Sequence, residues 1–142
     1  MADTSDIAAA LMAKLGSDTQ LLALCPNGVY WDEAPPGCTR FVIVALLAAV
    51  DVGVFGKRAI EEGVYLVEAR MLSTVAGANP KAAAARIDAL LEDQPLTVAG
   101  YSWMTMHREE PTRMTEVDAL DPSIRWFRRG GRYRIEMSHT GA

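Results

Sequence analysis

Apolar and polar residues alternate between positions 63 and 72, which is the pattern of a β-strand with two different faces. Side chains point one way at Tyr65, Val67, Ala69 and Met71, and the other way at Val64, Leu66, Glu68, Arg70 and Leu72. The first set is wholly apolar, whereas the second is only partly polar. We therefore expect one face of this strand to lie in the core and the other to be partly covered.

Helical periodicity follows this strand and also opens the chain. Asn79 stands at an expected N-cap with Pro80 at the first helical position, and an apolar stripe then runs to Leu91. A first helix is predicted over residues 5–15, where apolar residues recur at helical spacing. Ser17 or Asp18 is predicted to cap a shorter helical piece ending at position 24.

Residues 41–50 form the most hydrophobic segment and are apolar on both faces. This pattern favours a strand that is covered on both sides. The two substantial helices suffice to cover one face of a sheet, so the second face needs another cover. A neighbouring subunit is the more economical source, and the chain's own loops and C-terminal hairpin are the alternative.

The remaining strands are predicted at residues 29–31, 96–98 and 101–108, with a charged connection over residues 109–122. Gly130 and Gly131 then suggest a tight turn between strands at 124–129 and 132–137. Residues 138–142 are predicted to be a frayed tail. The whole chain, residues 1–142, is predicted to be one α+β domain: an antiparallel sheet of four to five strands with two helices packed on one face, plus a C-terminal hairpin.

Charge is unevenly placed along the chain, whose 142 residues carry a net charge of −4. In the last third, a group of acidic residues precedes a group of arginines: Glu109, Glu110, Glu116, Asp118 and Asp121, then Arg125, Arg128, Arg129, Arg132 and Arg134. These groups indicate either an acidic and a basic patch for head-to-tail contacts or two solvated faces.

Residues with chemistry to offer are few. His107 and His139 have no local nucleophile or ligand pattern, and no catalytic, cofactor-binding or metal-binding residue is predicted. Cys25 and Cys38 are expected to be reduced thiols, with a disulfide as the alternative. The longest apolar run, of ten residues, is too short to span a bilayer as a helix, and no signal peptide is recognisable at the N-terminus, so a soluble protein is expected.

Arginines interleaved with aromatics near the C-terminus have the composition of a nucleic-acid surface. Strand alternation separates them, however, because Arg132 and Arg134 share a face while Tyr133 points into the core. The isoelectric point near 5.1 also argues against a dedicated nucleic-acid binder. No direct recognition of nucleic acid is therefore expected.

Nearly the whole chain follows one recognisable order of elements: a helix, VYWDEAPPG, the apolar strand FVIVALLA, a glycine-containing hairpin, GVYLVEARMLS, the helix NPKAAAARIDALLED and a terminal RGGRYRIEM. This order is similar to that of the tail completion or tail terminator proteins of tailed bacteriophages. The resemblance implies a structural subunit without catalytic residues or cofactors. It also implies a ring, commonly hexameric, that ends polymerisation of the tail tube and offers a docking surface for the head connector at the tail–neck junction of the virion, after assembly in the host cytoplasm.

Seven residues are the candidate contacts for such a ring and for the tube. They lie in a first hairpin, which is predicted to join the two main strands over residues 51–62, on the partly polar strand face and near the C-terminus: Phe55, Arg58, Val64, Leu66, Arg128, Arg129 and Arg132. A head–tail connector or other neck protein is one alternative. A small cytoplasmic enzyme or ligand-binding domain with a pocket around Trp31, Trp103 and His107 is another.

Overall fold

A computed structural model describes the backbone of residues 4–54 and 57–139, and the side chains of residues 6–49, 61–102 and 105–138. Three helices and five strands make up this described part. In chain order they are α1 (Thr4–Gly16), α2 (Thr19–Leu24), β1 (Val29–Trp31), β2 (Arg40–Val54), β3 (Lys57–Leu72), α3 (Pro80–Leu91), β4 (Tyr101–Val117) and β5 (Arg125–His139).

The five strands form one sheet in the order β1-β2-β3-β5-β4. The four long strands pair antiparallel, and the short β1 pairs parallel with residues 42–44 of β2. The predicted α+β class and the predicted sheet of four to five strands with helices on one face are confirmed. The sheet is mixed rather than purely antiparallel because of β1.

Helices α2 and α3 begin where their caps indicate, whereas α1 begins at Thr4, one residue before its predicted start. The Asn79 side chain accepts a hydrogen bond from the Ala82 amide (3.1 Å), and Pro80 occupies the first turn of α3. Asp18, one of the two predicted caps, accepts from the Leu21 amide (2.8 Å) at the start of α2. The helices bury their apolar stripes against one face of the sheet, as predicted.

That face and the helices enclose the core. Tyr65, Val67, Ala69 and Met71 are fully buried there, which confirms the predicted inward side of β3. Neighbouring strands add alternate residues, and α1 and α3 supply the opposite wall, so the cluster includes Val42, Val44, Tyr133, Ile135, Met137, Ile7, Leu11, Leu15, Ala83, Ile87 and Leu91. We call this side of the sheet the helix face and the other side the open face.

The predicted turn at Gly130 and Gly131 is wrong. Both glycines lie in the middle of β5, where Gly130 pairs with Glu68 on one side and Thr112 on the other. A Cβ added to Gly130 would lie 2.0 Å from the Val67 carbonyl oxygen. Glycine stands here because β5 approaches β3 too closely for any side chain, not because the backbone turns.

The C-terminal hairpin is real but is formed by β4 and β5, with its connection at residues 118–124. Most of the predicted charged connection, up to Val117, therefore belongs to β4. Asp118 holds the true turn, because its carboxylate accepts from the amides of Leu120 (3.1 Å) and Asp121 (3.0 Å).

Two smaller predictions also fail. Residues 96–98 form no strand, although the side chains of Leu96 and Val98 are buried in the core. The predicted tail begins too early, because Ser138 and His139 are the last residues of β5 and pair with Ser102 and Tyr101. The final residues 140–142 lie outside the described part of the chain.

Candidate interaction surface

The open face is apolar near β2 and charged near β5. Strand register places the side chains of Ala45, Leu66 and Arg132 in one row across it, and those of Ala48, Val64 and Arg134 in the next. Leu66 and Val64, both predicted contact residues, therefore stand at the junction between an apolar strand and an arginine-bearing strand.

One end of the open face is covered by the chain itself. Phe41 and Ile43 are buried, and the Phe41 ring meets that of Trp126 edge to face with a centroid distance of 5.8 Å. At this end of the open face the chain covers its own strand, which is the alternative to cover by a neighbouring subunit. No neighbouring copy is needed for Phe41 and Ile43.

The other end of the open face is not covered. Leu47 is 43% exposed, Ala48 is exposed, and Val64 and Leu66 are half-buried. Apolar side chains left at a sheet face favour a binding surface, since their burial is worth about 25 cal/mol per Å². This uncovered end is the part of the sheet that a partner would cover.

A buried carboxylate organises the charged part of the open face. Glu68 is 3% exposed, and its Oε1 accepts from the Nε of Arg70 (2.8 Å) and the Nε of Arg128 (2.7 Å). Arg128 also pairs with Glu116 on β4. Partial burial lowers the pKa of the Arg128 guanidinium, but the carboxylates of Glu68 and Glu116 outweigh it, so the pKa is raised overall.

The same cross-strand pairing extends along the hairpin of β4 and β5. Arg132 Nη1 donates to Glu110 (2.9 Å), and Arg134 pairs with Glu109 on β4 and Glu62 on β3. The expectation of separate acidic and basic patches is wrong, because carboxylates of β4 neutralise arginines of β5. Sequence order separated these charges, but antiparallel pairing brings them together.

The predicted contact residues do not all share one surface. Val64, Leu66, Arg128 and Arg132 lie on the open face, whereas Arg129 lies in the opposite register on the helix face. Arg58 pairs with Gly53 near the end of the first hairpin, and its side chain is not among those described. Phe55 lies outside the described residues.

Arg129 belongs to a basic groove that the sequence did not indicate. The groove, of about 470 Å³, lies between α3 and the β4–β5 hairpin, and its charged lining is basic: Lys81, Arg108, Arg113 and Arg129. Arg108 faces Asp88 at 3.6 Å, but the other three have no ion-pair partner among the described residues. Three elements contribute these side chains, so no local sequence pattern could have found the groove.

The structure assembles no reactive centre from the residues it describes. Cys25 and Cys38 are free thiols, and burial raises the pKa of Cys25 to about 11. Trp31 on β1 and His107 on β4 lie at opposite edges of the sheet, with three strands between them, so they do not line one pocket. The side chain of Trp103, the third residue of that predicted pocket, is not among those described. Across the described ranges, no group of three or more His, Cys, Asp or Glu residues could hold a metal ion.

None of the described helices is both long and apolar enough to cross a membrane.

Comparison with known proteins shows a shared fold. The chain is similar to a chain in the virion of a native gene transfer agent particle, with a TM-score of 0.59 and 22% identity over 94% of this chain and 96% of that one. A second solved structure also gives a TM-score of 0.59, with 14% identity over 100% of this chain and 99% of the other. No protein-family model matches the sequence. No curated protein matches it either.

Proposed function

We propose that this protein is a structural subunit of a phage-like virion and acts as a tail terminator. The observation that carries the proposal is the likeness to a chain of a gene transfer agent virion over nearly the full length of both chains. The order of elements, which resembles tail terminator proteins, supports the finer assignment. A working surface made of a half-covered sheet rather than a reactive centre fits a subunit that acts by assembly.

The proposed ring, a hexamer, is formed by copies of this chain. The uncovered end of the open face supports such a contact, because Leu47, Val64 and Leu66 present apolar surface that the chain does not bury itself. Paired charges at Arg132 and Glu110 border this surface. A polar rim around an apolar centre is the usual anatomy of a protein interface.

The two ends of the ring are proposed to contact different partners, the tail tube protein below and the head connector above. The first hairpin, with Phe55 and Arg58, is assigned to contacts with the neighbouring subunit or the tube. Arg128, Arg129 and Arg132 are assigned to the same class of contact. The protein is proposed to act at the tail–neck junction of the virion, following assembly in the host cytoplasm.

Electron microscopy of particles from a strain lacking this protein tests the function. Overlong tails are expected, because nothing would stop polymerisation of the tube. Tails of normal length that are not attached to heads would instead identify a connector or neck protein. Normal particles would exclude both roles. Native mass spectrometry of the purified protein over a range of concentrations, alone and with tail tubes, tests the ring.

Two neighbouring substitutions separate assembly from folding. Leu66→Asp places a charge on the half-buried open face, and we expect loss of ring assembly with the melting temperature nearly unchanged. Val67→Asp places the same charge on the fully buried helix face and is expected to unfold the subunit. If Leu66→Asp unfolds the isolated subunit as Val67→Asp does, Leu66 is a core residue and the open-face interface is wrong.

A further inference from the structure

The sheet has an edge at β2 on which backbone groups lack a strand partner. β1 pairs only with residues 42–44 of β2. From Leu46 to the end of β2, no strand among the described residues lies along the outer side. An unpaired edge presents a row of N–H and C=O groups that can accept a further strand.

The opposite edge, at β4, is protected at its start and free at its end. The Met106 carbonyl accepts from the Asp93 amide (2.9 Å), and the Glu92 carboxylate accepts from the Arg108 amide (2.5 Å). A bulge follows Arg108, and Pro111 has no N–H to donate. The edge is therefore blocked as far as Pro111 and open over residues 112–117.

The pairing pattern shows which backbone groups face outward in this open stretch. The Arg125 carbonyl accepts from the Ser73 amide (2.8 Å), so odd-numbered residues in this part of β5 face β3 and even-numbered residues face β4. The β4 partners of the even-numbered residues are 112, 114 and 116. The N–H and C=O groups of residues 113, 115 and 117 consequently point away from the sheet.

Strand polarity makes the two edges complementary. The strands β2, β3, β5 and β4 alternate in direction, so β4 runs opposite to β2. A second copy placed head to tail lays its β4 antiparallel against β2 of the first copy. Each added copy leaves the same edge free for the next, and rotation about one axis closes such contacts into a ring.

Unpaired charges of opposite sign flank these edges. Lys81, Arg113 and Arg129 lie beside β4 without ion-pair partners among the described residues. Asp32 and Glu33 are exposed in the loop bonded to the edge of β2, and the structure gives their carboxylates no partner within its described ranges. A contact that joins the two edges brings basic and acidic side chains toward each other.

Exposed apolar residues also mark both edges. Met114 is 51% exposed and Val117 is 55% exposed on the open stretch of β4, while Leu47 is exposed on the free part of β2. Natural edge strands usually carry charges, prolines or bulges that prevent association. β4 uses such devices before residue 112 and leaves the following six residues without proline or bulge.

We infer that residues 112–117 of β4 in one subunit add as an antiparallel strand to the outer edge of β2, from Leu46 onward, in a second copy of this chain. The inference rests on the proposed ring and adds an edge contact between neighbouring copies to the open-face contact described above. A second copy is the occupant because both complementary edges, in polarity and in charge, belong to the same chain.

Cysteine cross-linking between two variants tests the contact. Leu47→Cys and Met114→Cys are made separately in a Cys38→Ser background, where the remaining Cys25 is fully buried. A short bismaleimide is expected to link a mixture of the two variants, and neither variant alone. Linking of either variant alone indicates an isologous contact and overturns the inference, as does the absence of any link at concentrations up to the solubility limit.

A proline scan supplies an independent readout. Thr115→Pro removes an outward N–H and should leave the β4–β5 ladder intact, so we expect a folded protein whose cross-link yield falls about tenfold or more. Met114→Pro removes an inward N–H and should destabilise the fold, so it is the matched control for folding. Its readout is the melting temperature, because position 114 carries the cysteine in the cross-linking variant. Undiminished cross-linking by Thr115→Pro would overturn the edge contact.

The failure of this inference is distinguishable from failure of the proposed function. A ring seen by native mass spectrometry without the mixed cross-link overturns the edge contact and leaves the tail terminator role standing. Tails of normal length in the strain lacking the protein overturn that role, whatever the cross-linking shows.

Discussion

Replacing Gly130 by alanine should be among the most damaging single-methyl changes in this protein. An added Cβ would lie 2.0 Å from the Val67 carbonyl oxygen and 2.5 Å from the Glu68 Cα, and both atoms belong to the backbone of β3. A strand must move to relieve these contacts, because no side-chain rotation can. Overpacking typically costs about 1–3 kcal/mol, and a backbone clash lies at the upper end, so we expect a loss of about 3 kcal/mol.

Such a loss should lower the melting temperature by about 10 °C in a domain of this size. Urea unfolding followed by circular dichroism, together with a thermal scan, measures it. Two glycines serve as controls. At Gly131 the added Cβ would meet side-chain atoms of Arg108 (2.7 Å) and Tyr133 (3.0 Å), so a smaller loss is expected. At Gly16 nothing lies within 4 Å, and alanine should be neutral or slightly stabilising.

The three variants also distinguish a mid-strand glycine from a turn glycine. A two-residue turn of type I′ needs positive φ at both central positions, so it would make alanine costly at Gly130 and Gly131 alike. A Gly130→Ala protein as stable as the wild type would refute the close approach of β5 to β3 on which this reasoning depends.

Three further predictions concern charged side chains. Glu68→Gln should lower the free energy of unfolding in urea by about 2 kcal/mol, which is below the range for fully buried pairs because its two arginines are partly exposed. The exposed control Glu110→Gln should lower it by less than about 0.5 kcal/mol. Equal losses would contradict a central role for Glu68. Asp18→Ala should cost about 1 kcal/mol from the lost N-cap of α2, with a Ser17→Ala control near zero. The hydrogen bond from Arg86 lowers the pKa of Asp18 below its ordinary value of 3.8. The stability that the Asp18 carboxylate contributes should therefore be complete above that pH and lost as pH falls through the folded-state pKa. Acid unfolding curves of Asp18→Asn that match the wild type would count against this.

The regular elements could be predicted from sequence because their signals are local. Asn79 with Pro80 and the alternation from Tyr65 to Met71 each set one element without help from distant residues. The Gly130–Gly131 pair misled because glycine serves both turns and close strand contacts. The difference between a turn and a close strand contact depended on their β3 partners Val67 and Glu68, which lie more than sixty positions earlier in the chain.

The charged surface could not be predicted for the same reason. Glu116 and Arg128 stand twelve positions apart, and their contact follows only from the long hairpin whose turn lies at Asp118. The pattern of Asp118, Asp121 and Pro122 was a usable turn signal, but the glycine pair competed with it. The basic groove forms where α3 lies close to β5, and no short segment of the sequence contains both elements.

The strand order also determines how the chain must fold. β2 with β3 and β4 with β5 are neighbours in sequence, so each hairpin closes a short loop. The seam between β3 and β5 joins distant residues, such as Glu68 and Arg128, which are 60 positions apart. Non-local pairings of this kind slow folding, because chain entropy is lost before their contacts form. We therefore expect the two hairpins to form first and the seam last. Glu68 already lies beside Arg70 on β3, so it meets Arg128 only when the subunit is nearly native.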